Sequence, residues 1–225
     1  MSERPLFEES ILPYRVSPQL VVRLIELRHV LPDFSRCPYC GANDYWHLAW
    51  PASLALSQYL ASTQSAEWWQ GKRALVIGCG AGLESVVLSS LGAEVTALDH
   101  IPESLRLVQR NCELSEVPRV QERCCCWLDE NSRQQVGQYD VLVGADVLYE
   151  PADGVWIREL LTTLLKPGGL AFFGDPQRDG VTTFLEQLLQ VRWNSYITAN
   201  RAHTRNVYLE LQPAHTNQVA PAAKT

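Results

Sequence analysis

An apolar run from Ala74 to Ile77 ends at Gly78-Cys79-Gly80-Ala81-Gly82 and passes directly into Leu83-Glu84-Ser85-Val86-Val87-Leu88. The first stretch has the uniformly apolar character of a strand buried on both faces, and the second reads as a helix to about Leu91. Three glycines in five residues let the chain reverse sharply and leave the backbone free of Cβ atoms where a ligand would meet the helix N-terminus. Asp99 closes the next strand, Ala93 to Leu98. In an open α/β sheet the carboxyl ends of neighbouring strands border one crevice, so this carboxylate is placed to accept the hydroxyl hydrogens of a ribose. Strand, glycine turn, helix and spaced acid together predict a nucleoside-type cofactor; a purely structural turn is the alternative.

The rest of the chain continues the alternation. Pro51 starts a helix carrying Leu54, Leu56, Tyr59 and Leu60, and further helices are predicted over Pro102 to about Leu114, Asp153 to Leu165 and Val181 to Gln190. Strands are predicted near Arg119 to Cys126, Tyr139 to Gly144, Leu170 to Gly174 after the Lys166-Pro167-Gly168-Gly169 turn, Trp193 to Ala199 and Val207 to Leu211. This order predicts a doubly wound, mostly parallel sheet with an antiparallel strand at its end. Residues 1–48, with prolines at positions 5, 13, 18 and 32, read as an N-terminal cap segment whose one helix runs from Pro18 to about Val30 on Leu20, Leu24 and Leu27. Residues 49–212 form the predicted domain and 213–225 a flexible tail.

Composition narrows the function classes. With 46% hydrophobic and 20% charged residues over 225 positions, the chain is an ordinary globular one. A formal charge of -6 disfavours a partner held by its phosphates, so no nucleic acid is expected. No apolar run reaches membrane-spanning length and the opening residues are too charged for a signal peptide, so a cytoplasmic protein with no membrane partner is expected. The seven cysteines are unevenly spread and read as reduced thiols. Cys37-Pro38-Tyr39-Cys40 has the form of a metal knuckle, but no second pair follows, so two free cysteines are expected and no metal is assigned. Cys124, Cys125 and Cys126 are expected to alternate faces of a strand.

A dinucleotide fingerprint would place a third glycine at position 83, where this chain has Leu83, which argues against a dehydrogenase. Gly78-Cys79-Gly80-Ala81-Gly82-Leu83, together with Trp50-Pro51-Ala52, Asp99, Trp127, Gly144-Ala145-Asp146-Val147-Leu148-Tyr149-Glu150 and Gly174-Asp175-Pro176-Gln177-Arg178, resembles the seven-β-strand S-adenosylmethionine-dependent methyltransferases. Within them it is similar to the protein-lysine methyltransferase group, including the enzymes acting on electron transfer flavoprotein β subunit and their bacterial relatives. The resemblance implies S-adenosyl-L-methionine as cofactor, lined by Trp50, Gly78, Cys79, Gly80, Gly82, Asp99, Trp127 and Ala145, with Asp99 on the ribose. It also implies catalytic roles for Asp146 and Tyr149 at the acceptor, which would be a protein lysine; a small nicotinamide-like amine is the alternative.

The chemistry fits those residue types. Methyl transfer from a sulfonium is an in-line displacement that asks mainly for positioning. Asp146, at the carboxyl end of its strand, can hold an amine by charge-assisted hydrogen bonds, and the ring of Tyr149 can orient or shield it. A helix N-cap role for Asp146 is the structural alternative; Asp175 and Arg178, after the next strand, are candidates for a second wall of the pocket, with turn capping as their alternative. The fold usually carries an acid two positions before the first glycine, where this chain has Val76; Glu84 is a candidate to compensate, with a favourable charge in a first helical turn as the preferred alternative, and a non-catalytic relative with weakened cofactor binding is a further alternative. His100, beside Asp99, is placed to touch the adenosine.

Overall fold

The computed structural model describes residues 7–28, 45–126, 129, 131, 134–176, 178–190, 193–199 and 207–213. After an N-terminal hairpin of β1 (Glu8–Arg15) and β2 (Val21–Arg28), the chain forms α1 (Pro51–Thr63), α2 (Ala66–Trp69), β3 (Arg73–Ile77), α3 (Leu83–Ser90), β4 (Glu94–Asp99), α4 (Pro102–Leu114), β5 (Gln121–Cys124) and β6 (Tyr139–Ala145). Then come α5 (Pro151–Leu164), β7 (Leu165–Asp175), α6 (Asp179–Gln190), β8 (Trp193–Ala199) and β9 (Val207–Pro213). Seven strands make one sheet in the order β5-β4-β3-β6-β7-β9-β8. The pairs from β5 to β7 are parallel, and β9 runs antiparallel between β7 and β8. The doubly wound sheet with its antiparallel terminal pair is the architecture expected from the alternation.

Both faces of the central strands are covered, which is why they carry apolar residues without interruption. Ala74, Val76, Val141, Val143 and Phe172 belong to a core with α1, α3 and α4 residues such as Leu56, Leu60, Val87 and Val108. Their alternates Leu75, Ile77, Leu142 and Phe173 belong to another core with Ile157, Leu161, Phe184 and Leu188 of α5 and α6. The edge strand β5 is exposed along its whole length and carries Gln121, Glu122 and Arg123, polar side chains that discourage pairing with another chain. It stops at Cys124, so only that cysteine lies in the strand; Cys125 and Cys126 follow it, and Cys126 is buried. The Lys166 to Gly169 turn is absorbed into β7, whose pairing with β6 shifts register between Tyr139 and Val141.

The predicted helix from Pro18 is instead the second arm of the hairpin, paired with β1 from Val21↔Arg15 to Arg28↔Glu8. The i, i+4, i+7 leucines that suggested a helix coexist with a period-2 set, Val22, Leu24 and Glu26, all buried on one face. A turn at Ser17, whose Oγ accepts from the amides of Gln19 and Leu20, closes the hairpin. Along the outer edge of β2, α4 takes the place of a third strand. Asn111 Oδ1 accepts from Ile25 N at 2.6 Å, its Nδ2 donates to Ile25 O at 3.2 Å, and Ser115 Oγ accepts from Arg23 N and donates to Arg23 O. Leu27 N donates to His47 O at 3.1 Å, continuing the same edge. No described helix is long and apolar enough to cross a membrane.

Asn111 is fully buried and also donates to Ala81 O at 2.8 Å. Asn111→Ala should leave buried backbone groups of Ile25 and Ala81 unpaired and lower stability by about 3 kcal/mol, read as a shift of the urea midpoint. A loss below about 0.5 kcal/mol would show that the hairpin edge is not held in this way.

Candidate active site

The glycine turn is built as the sequence requires. Gly78, Gly80 and Gly82 have φ of 56°, 51° and 87°, the left-handed region in which a side chain is strained. Gly82 is the N-cap of α3, and a Cβ there would stand 2.7 Å from Val108 Cγ2. A Cβ on Gly80 would meet the carbonyl oxygen of Trp46 at 3.3 Å. The segment before α1 therefore lies against the turn, fastened to β2 by Leu27 N to His47 O and by Ala49 N to Glu26 Oε1 at 2.9 Å. Trp46 itself packs with Ala81, Ile101 and Leu107. Its place there was not foreseen; the only hint was the aromatic spacing of Tyr45-Trp46 with Trp50.

Asp99 ends β4 with 4% of its surface exposed. Its Oδ2 accepts from Gly80 N at 3.0 Å and from Ser104 Oγ at 3.1 Å, and Oδ1 accepts from Ile101 N at 3.0 Å. The carboxylate thus organises the turn before it meets any ligand, and of its roughly four acceptor positions about one stays open. Ser104 Oγ also lies 2.8 Å from Gly80 O, so its one hydroxyl hydrogen is shared between that carbonyl and Asp99 Oδ2, a brace without a motif to announce it. Cys79 is buried, and burial first, then the charge of Asp99, holds its thiol well above the usual value, so it is no nucleophile. Ala145, the last residue of β6, pairs with Gly174 of β7. Trp50 is the N-cap of α1, with its Nε1 donating to Tyr45 O at 3.0 Å and its ring edge-to-face with Tyr45. Trp127, Cys37, Cys40 and Gln177 lie outside the described residues. Among the described residues no cluster of three His, Cys, Asp or Glu side chains is arranged to hold a metal.

Asp146 follows β6 with a φ of 54° and is 5% exposed. It does not cap a helix: the N-cap of α5 is Glu150, which forms a capping box with Asp153. Instead Asp146 Oδ1 lies 2.6 Å from Arg178 Nη2, while Arg178 Nη1 donates to Asp175 Oδ2 at 2.9 Å and the guanidinium sits 4.8 Å from the Tyr149 ring centroid. Asp175 Oδ1 accepts from Arg178 N, so its capping role and its ion pair coexist. Burial raises both carboxyl groups above their usual range, and Arg178 pulls them back. The Tyr149 phenol is raised by burial of the residue's closed side, then by Asp146, with Asp175 and Asp99 adding to it, although 44% of its surface is open. Asp146, Asp175 and Asp99 thus bear on one aromatic side chain at the carboxyl end of the sheet.

The buried polar atoms of this region without a hydrogen-bond partner include Glu84 Oε1 and Ser85 Oγ in the first turn of α3 and His100 Nε2 beside Asp99. Orphans of this kind are costly inside a protein and mark places where a polar ligand would fit. A glycine cradle with the orphans Glu84 and His100 and a ribose-type acid suits a ligand with both a nucleoside and a charged end.

Fold and cradle define the class, the S-adenosylmethionine-dependent methyltransferases. The ribosomal protein L11 methylase of Lactobacillus delbrueckii subsp. bulgaricus superposes over 73% of this chain and 77% of its own with a TM-score of 0.56 at 17% identity. The 16S rRNA N2 G1207 methyltransferase of T. thermophilus, solved with AdoMet and guanosine, covers 94% of this chain and 52% of its own at a TM-score of 0.63 and 17% identity. Residues 41–190 match the lysine methyltransferase family, and the chain belongs to that family, with S-adenosylmethionine as its cofactor. EEF1A lysine methyltransferase 3 of Mus musculus is 29% identical over 179 residues, 78% of this chain and 74% of its own. The ubiquinone biosynthesis O-methyltransferase of Bordetella avium is 33% identical over 110 residues, 49% of this chain; the chain spans 45% of that relative's length.

Glu84 carries a pH signature. Its carboxyl is pushed up from 4.5 to about 7, first by burial, with the charge of Asp146 adding to the rise and the nearby Ser53 hydroxyl opposing it. The folded state therefore holds this proton more tightly than the unfolded state, and stability falls as pH rises from about 4.5 to about 7. Without ligand, Glu84→Gln should match the parent near pH 4.5 and exceed it by about 3 kcal/mol at pH 8 in denaturant titrations. Equal stability at pH 8 would show that the charge is not desolvated.

Proposed function

We propose that this chain is a protein-lysine N-methyltransferase, and the observation that carries this reading is the cluster at the end of β6 in a member of the lysine methyltransferase family. Two carboxylates, Asp146 and Asp175, face one guanidinium, Arg178, beside the exposed ring of Tyr149. With both acids ionised the cluster keeps a net charge of about -1, which attracts a cationic side chain and gives it an aromatic face to lie against. S-adenosylmethionine, when bound, supplies an electrophilic methyl carbon on a sulfonium.

The proposed holders of that cofactor are the backbone of Gly78, Cys79, Gly80 and Gly82, the remaining acceptor position of Asp99, and Trp50, Trp127 and Ala145. Asp146 accepts a hydrogen bond from the incoming amine and fixes its direction. Arg178 keeps Asp146 ionised by offsetting part of its desolvation, and so acts as a positioning residue. Tyr149, on the rim, bounds the amine laterally. The formal charge of -6 and the breadth of the match to the mouse lysine methyltransferase favour a protein over a nucleic acid as acceptor. Reading by the ubiquinone relatives instead would give a small-molecule acceptor, and their shorter match is consistent with shared cofactor binding alone.

Incubation with methyl-tritiated S-adenosylmethionine and a cytosolic extract tests the choice. A labelled protein band yielding methyllysine on hydrolysis is expected, and Asp146→Asn should lower its labelling by about 10- to 100-fold through loss of a charge-assisted hydrogen bond. Label confined to small molecules would overturn the lysine reading.

A further inference from the structure

Glu84 is 4% exposed, stands two residues after the N-cap of α3, and presents an oxygen, Oε1, with no partner. Besides its burial, what acts on it is the Ser53 hydroxyl, the local backbone and the charge of Asp146, which has the same sign. An N-terminal helix turn is a favourable place for a carboxylate, but that interaction is modest against the cost of removing the ion from water. Arg178 is committed to Asp146 and Asp175. Among the described residues the side chain is therefore paired with no cation, and it stands in the first turn of the helix that opens from a cradle assigned to a ligand that bears an ammonium group.

Position 76 sharpens this. Val76 is 1% exposed and belongs to the core beneath α1 and α3, so β3 contributes no charge to the cradle. Glu84 is buried between the first turns of α1 and α3 and is coupled to Asp146, at the β6 side of the turn, whereas Asp99 and His100 stand at the β4 side. The two sides suit the two ends of one molecule, an adenosine and an amino acid.

We propose that Glu84 receives the α-ammonium of the methionine part of S-adenosylmethionine, so that the negative charge absent from Val76 is supplied from the first turn of α3. The inference rests on the cofactor assignment and extends it to one residue and one functional group. The ligand ammonium provides up to three donors, enough to satisfy Oε1, and it pairs a buried anion with a cation in place of a proton. The same pairing explains why a destabilising group occupies a fully enclosed position.

Isothermal titration with three ligands isolates the contact: S-adenosylhomocysteine, its deamino analogue with hydrogen in place of the ammonium, and 5′-methylthioadenosine, which has neither ammonium nor carboxylate. The parent protein should bind S-adenosylhomocysteine at least tenfold more tightly than the deamino analogue, and Glu84→Gln should bind those two alike. Affinity for 5′-methylthioadenosine should be unchanged within twofold in the variant, which also reports that the cradle is folded. Equal losses for all three ligands, or an unchanged preference for S-adenosylhomocysteine in Glu84→Gln, would overturn the role of Glu84 while leaving the cofactor in place. Failure of the parent protein to bind any of the three would overturn the cofactor reading beneath it.

Discussion

The glycine turn between β3 and α3 is held from two sides by buried side chains of neighbouring elements. Asp99 of β4 takes the Gly80 amide, and Asn111 of α4 takes the Ala81 carbonyl. A turn in which three residues occupy the left-handed region has little intrinsic preference for one shape, since glycine gives up more conformational freedom on folding than any other residue. Its shape is imposed from outside. Because Asn111 also bonds Ile25, the N-terminal hairpin, the helix beneath it and the turn become one connected unit. The hairpin in turn holds the segment carrying Trp46 against Gly80, so residues far apart in sequence share responsibility for the cradle.

That dependence explains what the sequence disclosed. Strands β3, β4 and β6 were readable because each is buried on both faces, and helices α1 and α4 because a proline stands at their first position. The segment Val21–Arg28 was not. Its pattern satisfies both helical and alternating periods, and what decides between them is a partner strand and the side chains of Asn111 and Ser115, about 90 residues away. A buried Glu26 in the middle of the apolar face further obscures the alternation; it is tolerated because Tyr14 and the Ala49 amide both donate to it. Local pattern cannot report a bond that closes only in the folded chain.

The candidate site shows the same division. Asp146, Tyr149, Asp175 and Arg178 were visible as motif residues, yet their arrangement was not, because Arg178 has to cross from the end of β7 to reach the end of β6. Asp146 sits in a left-handed conformation with its amide bonded to Gly174 O, so the backbone of one strand end fixes the direction of the carboxylate of the next. Sequence spacing names such residues without saying that they share one guanidinium. Ser104 carries no pattern at all and Trp46 only the aromatic spacing around it, and both emerge from the packing around the turn.

Charge placement across the cradle links stability to function. Asp99, with two amides and the Ser104 hydroxyl as donors and about one acceptor position open, is an anion the fold itself largely satisfies. Asp146 is satisfied in part, by a cation that it divides with Asp175. Glu84 is left with an open oxygen. The three carboxylates thus run from largely to barely compensated, and the less each is met by the protein, the more a cationic ligand group stands to gain by meeting it. Since binding to the folded state alone stabilises it, a site kept short of cations makes the fold most stable when loaded. Filling the deficit within the chain, by a lysine or a second arginine beside Glu84, would improve the empty protein and weaken the ligand's hold in the same measure, because both would draw on one electrostatic debt.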